Sequence, residues 1–133
     1  MKSEDSCKLP AGKYYVGDLC YVMDDSWDEI CEHICHNKFS SGIFTLKDGT
    51  TMFVSGTRHG DGIYPDNIGN EYGVDSGTIG CVLVGSINLK HKGNKIKYGV
   101  VHDFKRQFKT CGHTGKPDWD GAIVIGHIIV ETE

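Results

Sequence analysis

Ile43-Phe44-Thr45-Leu46-Lys47-Asp48-Gly49-Thr50-Thr51-Met52-Phe53-Val54 is the stretch on which the fold is decided. β-branched and aromatic residues recur on both sides of Asp48-Gly49, and Asp-Gly supplies the positive φ that a tight hairpin turn demands. Strands over 43–46 and 51–54 follow, paired antiparallel. Upstream the period changes. Trp27, Ile30, Cys31, Ile34 and Cys35 recur at i, i+3, i+4, i+7 and i+8, one apolar stripe of an amphipathic helix over about 26–37. Ser26 with Glu29 reads as its capping box and Asn37 as its stop. Before the helix, Lys13–Val16 and Leu19–Val22 read as two short strands, or one interrupted at Gly17-Asp18, and residues 1–9 as a polar, loose lead-in.

Downstream, 56–71 reads as a loop-rich excursion with Tyr64-Pro65, Asn67, Gly69 and Asn70 as turn formers. Strands follow at 72–75, 78–84 and 86–89, then a turn at Lys92-Gly93-Asn94 and a strand over 95–104. A second loop is expected over 106–121. Ala122–Val130 is apolar on both faces, the pattern of a central strand. About eight strands and one helix predict an α+β domain over 1–133: a mostly antiparallel β sheet or partial barrel with one amphipathic helix packed on it.

A chain of 133 residues suits one domain burying roughly two thirds of its unfolded surface. Its 18 glycines are about twice the usual share and favour a turn-rich, many-stranded chain. The net charge of −4, with no long Lys/Arg run, argues against a nucleic-acid binder, which needs a basic field. The first residues lack the apolar core of a signal peptide, and no apolar run is long enough to span a bilayer. Six cysteines in that context are expected to be reduced thiols in the cytoplasm.

The chemistry concentrates in Gly56-Thr57-Arg58-His59-Gly60-Asp61-Gly62-Ile63-Tyr64 and Tyr72-Gly73-Val74-Asp75-Ser76-Gly77-Thr78-Ile79-Gly80-Cys81. Glycine amides can form a concave anion nest, and Arg58 can grip a phosphate in a fork. There is no Gly-Lys-Ser/Thr and no dinucleotide fingerprint. The plain alternative is a bulged hairpin tip. As a ligand loop, Arg58, His59 and Asp61 face one surface with Asp75 at its base, where its carboxylate can instead cap the turn at Ser76-Gly77. Asp18 approaches from the neighbouring strand junction.

Rival chemistries are weaker. A zinc site would draw on Cys31, Cys35, Cys111 and His113, but the spacing departs from paired zinc knuckles, and Cys31 and Cys35 occupy core positions of the helix. The acidic loops at 61–67 and 118–121 lack the ligand count of a calcium loop. A cysteine nucleophile such as Cys20 would need a base, for which His59 or the His102-Asp103 pair are the candidates. His127 reads as a core histidine. No cofactor is implied.

Val16-Gly17-Asp18-Leu19-Cys20-Tyr21-Val22, Gly60-Asp61-Gly62-Ile63-Tyr64 and Val74-Asp75-Ser76-Gly77-Thr78-Ile79-Gly80 together resemble a loosely defined set of small uncharacterised proteins of bacteria, phages and large DNA viruses. Those carry Gly-Asp-Pro-Cys-Tyr-Val, Gly-Asp-Gly-x-Tyr and Val-Asp-x-Gly-x-Ile-Gly; here Leu19 stands in place of the proline. The resemblance covers about residues 13–84, implies no activity, and singles out Asp18, Cys20, Asp61, Tyr64 and Asp75. The expected protein is a small intracellular β-rich binding domain that engages a small anionic ligand or a protein partner through 56–77. Asp18, Cys20, Arg58, His59, Asp61, Tyr64, Asp75 and Ser76 are its candidate contacts. The alternatives are a small hydrolase using Asp/His or a Cys nucleophile, and a viral sponge for an anionic nucleotide-like signal.

Overall fold

A computed structural model describes residues 8–23, 26–36, 42–87, 99–113 and 118–132, and within the helical segment 27–36 the side chains of 27–32. The strands are β1 (Lys8–Leu9), β2 (Gly12–Gly17), β3 (Gly42–Thr45), β4 (Thr51–Gly56), β5 (Gly62–Pro65), β6 (Glu71–Val74), β7 (Thr78–Leu83), β8 (Val100–Phe104), β9 (Phe108–Cys111), β10 (Ala122–Ile125) and β11 (Ile128–Glu131). They form a five-stranded sheet in the order β3-β4-β7-β2-β8, a four-stranded sheet in the order β1-β9-β10-β11, and the ribbon β5-β6. Every described pairing is antiparallel. A helix, α1, spans Trp27–His36. None of the described helices is long and apolar enough to cross a membrane.

The five-stranded sheet is buried on both faces, because its inner strands carry apolar residues at consecutive positions. Tyr14, Val16, Phe53 and Cys81 face one core, shared with Ile123, Ile125, Ile128 and Val130 of the four-stranded sheet and with Tyr64, Tyr72 and Val74 of the ribbon. Tyr15, Met52, Val54 and Val82 face the other way, onto Leu19, Val22, Met23 and Ile30. Gly80 permits the close approach of β4 and β7: a Cβ there would lie 2.1 Å from the carbonyl oxygen of Phe53.

The hairpin at Asp48-Gly49 is present, with Ile43 opposite Phe53 and Phe44 opposite Met52. Elsewhere the architecture corrects the expectations. Ala122–Val130 is not one central strand but the hairpin β10–β11, with Ile125 paired to Ile128 across Gly126-His127. The core-facing positions switch from odd (Ile123, Ile125) to even (Ile128, Val130) across that two-residue turn, so a reversal looks like a strand apolar on both faces. His127 is consequently an exposed turn residue and not a core histidine. The central strand of the larger sheet is β7.

Other corrections concern loops and ends. The loop expected over 106–121 contains β9, and Tyr64-Pro65 belongs to β5 and not to a turn. Leu19–Tyr21 is a single 3₁₀ turn with Asp18 as its N-cap. Val84–Ser86 is also 3₁₀, and the expected turn at 92–94 lies outside the described residues. Lys8 and Leu9 are not loose: they pair with Lys109 and Phe108. Nor does Glu29 act as the box partner of Ser26. The Ser26 N–H donates to the Met23 carbonyl at 3.0 Å, and the Glu29 carboxylate accepts the Lys47 N–H at 2.8 Å, tying the helix to the β3–β4 turn.

Candidate functional site

At the end of β2 the backbone leaves the sheet, and Asp18 is carried into the protein with no exposed surface. Its Oδ1 accepts the Cys20 N–H at 3.0 Å and the Ser76 hydroxyl at 2.7 Å. Its Oδ2 accepts the N–H groups of Asp75 and Ser76, each at 2.7 Å. Successive amides converging on one point are what an anion nest supplies. Here the nest is filled by the chain's own carboxylate. The turn cap expected of Asp75 is therefore provided by Asp18, while the exposed Asp75 carboxylate accepts a hydrogen bond from the Tyr21 hydroxyl. Burial first, and that bond second, push the Tyr21 pKa well above its ordinary value, so the hydroxyl stays protonated as donor.

The adjacent loop, 57–61, is pinned to the same frame. The Thr57 N–H donates to the Gly77 carbonyl at 3.0 Å, and the Gly60 carbonyl accepts from both the Thr57 hydroxyl at 2.6 Å and the Tyr64 hydroxyl at 2.8 Å. Gly60 has φ +74, open to glycine at little cost. The Arg58 N–H donates to Thr132 Oγ1 at 3.1 Å, and its guanidinium donates to the Trp119 carbonyl. Arg58, His59 and Asp61 are exposed.

The expected site residues thus divide. Asp18 and Tyr64 are buried and serve the frame, with Ser76 and Cys20 half-buried beside Asp18. Arg58, His59, Asp61 and Asp75 project from the frame. A glycine-rich loop whose backbone is held by part-buried hydrogen bonds presents charged groups in a preset arrangement.

One cluster escaped the sequence reading. Asp66, Tyr72 and His102 form a buried chain: the Tyr72 hydroxyl lies 2.7 Å from Asp66 Oδ2 and 3.1 Å from His102 Nε2. An ionised carboxylate only accepts, so Tyr72 donates to Asp66 and its oxygen accepts from Nε2–H of His102, which fixes the neutral tautomer. Burial lowers the His102 pKa, against the pull of Asp66 and with the push of His127. Burial would raise the Asp66 carboxyl, but hydrogen bonds from Tyr72, Asn70 and Ile68 hold it below its ordinary value. Asp103 does not orient His102: adjacent strand residues point to opposite faces, and Asp103 pairs with Lys105 at 2.8 Å. The turn chemistry of Asp66 was visible in Asp66-Asn67-Ile68-Gly69-Asn70; nothing local signalled that Tyr72 would bridge it to His102, thirty positions beyond Tyr72.

The cysteine chemistries find less support. Cys20, the candidate nucleophile, is half-buried with its N–H donated to Asp18, while Cys81, which was not a candidate, is buried with its thiol pushed well above its ordinary value. The His113 ring lies 4.8 Å from that of Trp119, and the His113 backbone N–H donates to Ser55 Oγ at 2.8 Å. No group of three or more His, Cys, Asp or Glu gathers for a metal among the described residues, and the Cys35 side chain lies outside them. No family model, curated protein or solved structure matches this chain.

Proposed function

We propose that this chain is an intracellular β-rich binding domain that engages a protein partner through the 56–77 region, with Arg58, His59 and Asp61 as its polar contacts. The observation that carries this reading is an exposed apolar–polar surface on a pinned backbone. Ile63 is 70% exposed and stands opposite Gly73, which has no side chain to cover it, and Ile68 is 52% exposed on the same ribbon. Large apolar side chains rimmed by charge are the composition of a contact surface. A frame already ordered before binding lowers the entropic cost of association.

A small anionic ligand at this place is the weaker reading, because Asp18 occupies the nest and Asp75 adds a second carboxylate beside it. A hydrolase needs an activated nucleophile; the Ser76 hydroxyl does donate to Asp18, but that carboxylate is fully buried and already accepts three N–H groups, which suits a clamp more than a base. In the same reading the helix is the amphipathic cover of the outer sheet face, with Ile30 as its buried anchor. The likeness to small phage, bacterial and viral proteins rests on the same blocks, which supply frame and loop together.

Affinity capture with three immobilised proteins tests it: wild type, the Arg58→Ala/His59→Ala/Asp61→Ala triple variant, and Lys105→Ala as a control away from the loop. A protein retained by wild type and by the control, and lost by the triple variant, supports the assignment. Identical retention by all three, or retention by none, overturns it.

A further inference from the structure

At one end of the fold, Lys105–Gln107 carries the chain from the five-stranded sheet to the four-stranded one, and with the turn Gly126-His127 it lines a cleft of about 310 Å³. Its apolar floor is the small accessible part of Phe104 and Phe108, core residues only 5% and 7% exposed, whose rings stack on each other with centroids 3.9 Å apart and planes 17° apart. The His127 ring lies 5.5 Å from that of Phe104 at 57°. Gly126 keeps the turn close, since a Cβ there would meet the Phe104 ring at 2.8 Å, and its φ of +62 favours glycine in any case. Above this floor stand the exposed cations Lys105 and Arg106 and the amide of Gln107. Asp103, the one carboxylate among the described residues that line the cleft, is compensated by Lys105 at 2.8 Å and by the field of Lys13.

We propose that this cleft binds a small planar organic anion, a ring bearing a carboxylate or phosphate group. The ring would pack on the exposed His127 imidazole above the Phe104–Phe108 floor, where offset and edge-to-face contacts are favoured. The acidic group would meet Arg106, whose fork of N–H donors fits carboxylate and phosphate alike. A volume near 300 Å³ with an apolar floor and a few convergent polar groups is the make-up of a small-molecule site. The rest of the chain gives an anion little reason to bind, because the protein carries a net charge of −4. The inference does not depend on the partner assigned to 56–77.

The test is titration of the full-length, ¹⁵N-labelled protein with phenyl phosphate, with benzoate and with inorganic phosphate, followed by amide chemical shifts. Saturable shifts confined to 104–108 and 126–127 are expected with an aromatic anion, the stronger of the two identifying the acidic group. Arg106→Gln should weaken binding by about fivefold or more, Lys47→Ala at the exposed β3–β4 turn should leave it unchanged, and inorganic phosphate should bind at least about tenfold more weakly. Three outcomes overturn the proposal: no saturable shift by roughly 10 mM of either aromatic anion, equal shifts with inorganic phosphate, or affinity untouched by Arg106→Gln.

Discussion

Asp18 and Ser76, fifty-eight residues apart, hold each other through two bonds: the Ser76 N–H reaches Oδ2 and its hydroxyl reaches Oδ1 of the same carboxylate, both at 2.7 Å. The clamp fastens the 75–77 turn to the end of β2, and through the Thr57–Gly77 bond it also fastens the 57–61 loop. Residues of three sequence blocks therefore share one frame.

Removing the clamp should cost far more than removing the charges it supports. Asp18→Ala empties a fully buried position and leaves part-buried donors on Cys20, Asp75 and Ser76 without their acceptor, and a loss on the order of 3 kcal/mol is expected in urea denaturation. Asp75→Ala, which removes an exposed acceptor from Tyr21, should cost about 1 kcal/mol or less. Equal midpoints for the two variants would contradict the clamp.

His59→Ala and Asp61→Ala should melt with wild type, because both side chains are exposed. Arg58→Ala should lower the melting temperature slightly, through loss of the bond to the Trp119 carbonyl. A large drop for His59→Ala or Asp61→Ala would mean that these groups hold the loop and do not serve contact.

Stability should fall as pH drops below 6.5. The folded-state pKa of His102 is depressed, so the unfolded chain takes up the proton first and gains relative to the folded one. The contribution is fully present above 6.5, the ordinary histidine value, and is lost as pH falls towards the lowered folded value. Asp66 adds an effect of the same sign, lost below the ordinary carboxylate value of 3.8. Denaturation midpoints of wild type and His102→Gln between about pH 5 and 7.5 should differ in slope, the variant being flatter; parallel profiles would remove His102 from the account.

Gly80→Ala should destabilise by about 3 kcal/mol, since its methyl meets the Phe53 backbone and no flexible side chain can yield. Gly73→Ala has open space around it and should be neutral or stabilise by about 0.5 kcal/mol. Thermal melts of the pair read the contrast directly.

Alkylation separates the thiols by place. Exposed Cys111 should react with iodoacetamide in the native protein, while Cys81, buried and held protonated, should react only on unfolding. Mass spectrometry of digests after timed labelling identifies the order; native-state labelling of Cys81 would place β7 elsewhere than at the sheet centre.

The sequence by itself determined the local features: strands by their alternation, the reversal at Asp48-Gly49 by its turn chemistry, and a β-rich antiparallel chain by their sum. Period two is written into neighbouring residues, so a strand such as β4 announces itself. Period alone did not reveal the reversal at Gly126, because a two-residue turn flips parity and leaves both faces apolar. Only the tertiary structure decided what the chemistry-bearing residues do. Asp18 reads as a candidate contact at a strand junction, yet pairing of β2 with β7 sets it under Asp75 and Ser76, where their amides claim its charge. His102 reads as the neighbour of Asp103, yet the alternation of β8 turns it inward to Tyr72 and Asp66. A hydrogen bond between residues remote in sequence costs nothing to local periodicity and leaves no trace in it; the sheet register alone brings such partners within 3 Å.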